Sequence, residues 1–187
     1  MERYRDNGLA ARVAARGYAP ANIIINAHGG RSIADGLCTV ANDAANIASV
    51  DEVVLTLGIN GEWFGPGAAP DDCHSPYTYL NSLIRSSTSG SEYSEAESRA
   101  IIAAMVTLIH GINPGAHIMW AELPDPYITG FNAALHSGTG YQIITTMAES
   151  ADLYSSIPNA YLDSSYHPTA AYSGVLAQRL ADWVASH

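Results

Sequence analysis

The chain has 187 residues, 48% of them apolar, a formal net charge of −10 and no lysine among its basic residues. That size and apolar content suit one compact domain, residues 1–187, with a sizeable core, and exclude a disordered chain. So acidic a surface repels phosphate backbones and anionic lipid, which excludes nucleic acid and the membrane face as expected partners; the longest apolar runs, such as "VVLTL" at residues 53–57, are too short for a membrane span.

The predicted elements alternate helix and strand. An opening helix over residues 2–16, with Leu9, Val13 and Ala14 on one face, ends at Gly17. The β-branched run "ANIIINA" at residues 21–27 reads as a strand buried on both faces. "HGGRSIADGL" then turns tightly into a helix that lasts to about residue 49. "VDEVVLTLGIN", residues 50–60, is the second strand. A Gly-, Pro-, Ser- and Asp-rich stretch over residues 61–93 shapes an entrance, and a long helix over residues 94–110 leads to the third strand, "HIMWAEL" at residues 117–123. A weaker strand is expected in "GYQIITT", residues 140–146, and a last helix over residues 168–186, with Pro168 in its first turn and Val175, Leu176, Leu180 and Val184 on one stripe. This order predicts an α/β fold with a parallel sheet covered by helices on both sides. Chemistry in such sheets gathers beyond the carboxyl ends of the strands, so "HGGRS", "GINGEW", "ELPDP" and "DSSYHPT" are expected along one rim.

Three features of that rim suit acyl transfer. Gly29 and Gly30 follow a strand and precede a helix, where backbone N–H groups can hold negative charge, although an isolated Gly-Gly is more often only a tight turn. Asn60 ends the second strand with an amide, a residue type that more often closes a turn on its own backbone. His167, followed by Pro168 and preceded by Asp163, has the setting of a general base. An N–H and an Asn amide are typical oxyanion donors, so the three together supply the donors and the base of an ester-cleaving site. His28 is the one rival base, while His110, His117 and His187 read as surface or packing residues.

Taken in order, "NAHGGRSIADGL", "VVLTLGIN" and "HPTAAYSGVLAQRLADWV" resemble the SGNH (GDSL-type) hydrolases, and the likeness extends over nearly the whole chain. It implies a flavodoxin-like three-layer sandwich and a serine esterase or acyl hydrolase. It also implies a carboxylic ester as substrate (a lipid, an acetylated carbohydrate or a small ester) and no metal or organic cofactor. By position, the resemblance makes the Gly30 N–H and the Asn60 side chain the oxyanion donors and His167 the base. Two positions depart from the family pattern. Gly61 stands where an aspartate is usual, and Ser164 stands three residues before His167, the acid Asp163 being four before. The imidazole is then oriented by Asp163, if the turn is one residue longer, or by a backbone carbonyl.

The family's Gly-Asp-Ser block, which carries the nucleophile and follows the first strand, has no counterpart in this sequence. Ser32 imitates it only superficially, because "CTVANDAANIAS" after it reads as helix and leaves no room for a glycine block; Ser32 is expected to be an N-cap or turn residue. The sequence is therefore expected to start just past the missing block, with any export signal also lying ahead of it. Without the first strand, two apolar strands would show unpaired inner edges, so the chain is expected to be marginal by itself unless another segment fills the gap. The alternative function is a non-catalytic SGNH-like module that keeps the cleft for carbohydrate or a protein partner; a phosphate-binding use of "HGGRS" fits poorly with the acidic charge. Trp63, Phe64, Tyr77 and Tyr79 line a sugar or acyl site or, as the more ordinary outcome, pack their own loop. Cys38 and Cys73 form one bridge pinning a loop, or stand as two separate thiols.

Overall fold

The structure, a computed structural model, describes residues 14, 15, 17, 24, 33–55, 77, 79, 80, 93–121, 129–144, 178, 179, 181, 182, 185 and 186. Contacts divide the chain into two units, residues 26–143 and residues 1–25 with 144–187.

The first unit is an α/β assembly. Helix α1 (Ile33–Asn42) breaks at Asp43 and resumes as the short α2 (Ala44–Ile47), close to the expected extent. Strand β1 (Glu52–Leu55), helix α3 (Glu95–Ile112) and strand β2 (His117–Ala121) follow, then helix α4 (Thr129–His136) and strand β3 (Gln142–Ile144). The strands form a parallel sheet in the order β1-β2-β3. β1 and β2 pair from Glu52↔His117 to Leu55↔Trp120. Parallel neighbours cannot be joined by a hairpin, and α3 and α4 supply the two crossovers.

α3 owes its start to a capping box. The Ser94 hydroxyl accepts the Glu97 N–H, and the Glu97 carboxylate accepts the Ser94 N–H at 2.8 Å. Its buried positions, Ser98, Ile101, Ile102, Met105 and Ile109 among them, recur at helical spacing and pack against α1 and α4. α1 is buried almost all round, through Ile33, Ala34, Leu37, Cys38 and Val40. Cys38 is disulfide-bonded, so it is not a free thiol.

The sequence reading passes from the third strand to the fourth with no helix between them, and α4 corrects it. Phe131, Ala134 and Leu135 carry the i, i+3, i+4 spacing and are fully buried, but Gly130 and Asn132 dilute the helical signal in a segment only eight residues long. α4 exists because this stripe packs on α3 and on the sheet. Trp120 of β2, with no exposed surface, lies 6.3 Å from the Phe131 ring and 5.9 Å from the Tyr141 ring. The Tyr141 hydroxyl donates to the Leu135 carbonyl at 2.5 Å, and burial raises its pKa above the ordinary tyrosine value. Two glycines make room for this corner. A Cβ on Gly138 would run into the Tyr141 ring; Gly140 has φ 88°, and a Cβ there would come within 2.9 Å of Val106 Cγ1.

Asn113, the C-cap of α3, ties two turns together. Its amide donates to the carbonyls of Ile47, at 3.1 Å, and Val50, at 2.7 Å, while its carbonyl accepts the Gly115 N–H at 3.1 Å. Beside it His117 Nδ1 is 3.1 Å from Glu52 Oε1 across the first rung of the β1–β2 ladder.

In the second unit Ala14 is helical and Gly17, at φ 99°, donates its N–H to the Ala14 carbonyl, as expected of a glycine ending a helix. Gln178, Arg179, Ala181 and Asp182 are helical, in agreement with a C-terminal helix. Ile24 is the one described residue of "ANIIINA"; it takes no regular structure and is 47% exposed, so at that position burial on both faces does not hold. Among the described residues no helix is long and apolar enough to cross a membrane.

Candidate functional site

The four residues assigned to the site from sequence, His167, Asp163, Gly30 and Asn60, lie outside the described residues, as do His28, Ser32, Gly61, Trp63, Phe64 and Ser164. Among the described residues β1 ends at Leu55, five residues before Asn60 in sequence, and α1 begins at Ile33, three residues after Gly30. Because β1 and β2 are parallel and Leu55 is opposite Trp120, both strands finish on one edge of the sheet. That is the edge where open α/β sheets collect ligands.

The opposite, amino edge is occupied by structural contacts. His117 is mostly exposed and faces Glu52 there, and Asn113 grips the turns below it. His136 lies on the surface in the last turn of α4, where a cation suits the helix dipole. His117 thus keeps the structural role expected for it.

Four described serines are bonded or enclosed. Ser94 is engaged in its capping box, and the hydroxyls of Ser49 and Ser137 each donate at 2.8 Å to a carbonyl one helical turn back, those of Asn46 and Ala134. Ser98 has a buried hydroxyl with no hydrogen-bond partner, but it is fully enclosed, so an ester carbonyl has no path to it. None of these four can stand in for a Gly-Asp-Ser serine.

Of the described residues in the stretch over residues 61–93, three are anchored and Tyr79 is 66% exposed. Leu80 and Tyr93 are buried in the main core, Tyr77 packs against it, and the Leu80 N–H donates to the Tyr77 carbonyl at 2.9 Å. Tyr77 and Tyr79 meet edge to face with ring centroids 6.0 Å apart. Burial, and then the neighbouring Tyr79, raise the pKa of Tyr77. The two rings therefore pack on each other, with Tyr77 against the core and Tyr79 largely exposed.

One charged residue passed unremarked in the sequence. Asp35, in the first turn of α1, is 1% exposed. The positive end of the helix dipole favours a carboxylate there. An acidic residue in a first turn is so common that nothing in the sequence singles this one out. Among the described residues no group of three or more His, Cys, Asp or Glu side chains could hold a metal ion. No family model and no curated protein matches the chain.

Proposed function

We propose that this chain carries the oxyanion donors and the general base of a serine ester hydrolase of the SGNH type, built on a flavodoxin-like three-layer sandwich. No Gly-Asp-Ser block that would carry the nucleophilic serine occurs in these 187 residues. In the reaction the serine hydroxyl attacks the carbonyl carbon of a carboxylic ester, and His167 Nε2 takes its proton. The Gly30 N–H and the Asn60 amide hold the oxyanion of the tetrahedral intermediate. His167 then returns the proton to the leaving alcohol, and water, activated by the same imidazole, releases the acid. Asp163 or a backbone carbonyl keeps the imidazole oriented.

The observation that carries this reading is the order of "NAHGGRSIADGL", "VVLTLGIN" and "HPTAAYSGVLAQRLADWV" in the sequence, and the parallel α/β frame, with β1 ending at Leu55 five residues before Asn60, supports it. The departures at Gly61 and Ser164 favour a second reading, a related module that binds carbohydrate or a protein without cleaving it. Expression from a reading frame that includes the codons ahead of Met1, followed by assay on short-chain p-nitrophenyl esters, separates the two. The hydrolase reading expects turnover that falls about 10³-fold or more in His167→Ala and about 10²- to 10³-fold in Asn60→Ala. A folded, longer protein with no turnover and no in-frame Gly-Asp-Ser leaves the binding module.

A further inference from the structure

Cys38 lies in the middle of α1, is 5% exposed and is disulfide-bonded. The chain contains one other cysteine, Cys73. We infer that Cys38 and Cys73 form an intramolecular bridge that closes residues 38–73, β1 among them, into a covalent ring, and that the chain is more stable where thiols are oxidised.

The ring takes in the second half of α1, α2, β1 and the candidate oxyanion donor Asn60. It joins a core helix to the Gly- and Pro-rich stretch that follows the strand. Such a closure removes conformations from the unfolded chain, an effect that grows with the length of the ring. Its formation is balanced by exchange. One thiolate attacks a disulfide of the surroundings, and the second thiolate displaces the mixed disulfide. Two electrons thereby pass to the exchange partner, which leaves as a dithiol. Compartments that supply such disulfides are the oxidising ones, whereas a reducing cytosol reverses the step. Cys38 is enclosed by the core, so attack on its sulfur waits for local opening.

The inference is independent of the hydrolase reading, and its test uses no activity. Both cysteines fall on one tryptic peptide, because no arginine or lysine lies between Arg31 and Arg85. Protein made in an oxidising compartment, alkylated in denaturant without reductant and digested, should give this peptide unlabelled and lighter by two hydrogens. A second cleavage, at Glu52 or Glu62, should leave its halves joined until reduced. Reduction in mild denaturant, or the variant C38S/C73S, should lower Tm by roughly 10 °C. Two alkylated cysteines in the unreduced protein, or a covalent dimer on a non-reducing gel, would overturn the inference. So would a Tm unmoved by complete reduction; where the double variant fails to fold, the peptide masses decide alone.

Discussion

α3 and the corner made by α4, β3 and Trp120 are held by different kinds of information. α3 is fixed locally, with a reciprocal cap at Ser94 and Glu97, an ion pair from Arg99 to Glu95 one turn on, and a continuous apolar stripe along eighteen residues. The corner is fixed from a distance. α4 is too short to persist alone, and its Phe131 and Leu135 are ordered by Trp120, by the Tyr141 hydroxyl on the Leu135 carbonyl and by two glycines that let β3 approach. A helix of the first kind tolerates the loss of any one contact, whereas the second kind depends on a few large ones.

Substitutions should expose that contrast. Trp120→Ala removes the ring on which both Phe131 and Tyr141 rest and should lower the unfolding free energy by about 3 to 5 kcal/mol, enough to abolish a cooperative thermal transition in a marginal domain. A variant that still melts cooperatively within a few degrees of the parent would show the corner to be less dependent on that ring than its burial implies. Gly140→Ala puts a Cβ at positive φ against Val106 and should cost about 1 to 3 kcal/mol in a urea titration, with the loss of protection in hydrogen exchange concentrated in β3. Ser94→Ala should cost only about 1 kcal/mol, with faster exchange confined to the first turn of α3. A larger loss from Ser94 than from Gly140 would reverse the comparison.

The same contrast explains what was legible in the sequence. α1, β1, α3, β2 and β3 each announce themselves by periodicity or a β-branched run, and their described residues fall inside the expected limits, α3 alone running two residues past its expected end. α4 went unread because "TGFNAALH" is weak as local code, although two parallel strands in sequence already demand a crossover between them. Ile24 departs in the opposite sense. Its run of isoleucines states hydrophobicity without stating which face is covered, and 47% of that side chain is exposed. Burial of Asp35 was invisible because charge at a helix start is ordinary, whether buried or not. For the site, the residue types and their order at Gly30, Asn60 and His167 are written in the sequence. Whether they meet is decided by tertiary geometry, which no local pattern encodes.

The clasp made by Asn113 has a consequence for how this sheet can change. One amide holds two carbonyls ahead of β1 and one N–H ahead of β2, so both strands set out from a common origin and every later residue inherits its phase from there. A single residue inserted between Ile47 and Glu52 would have to be absorbed in that turn; otherwise it would swing Leu55 to the opposite face from its core position.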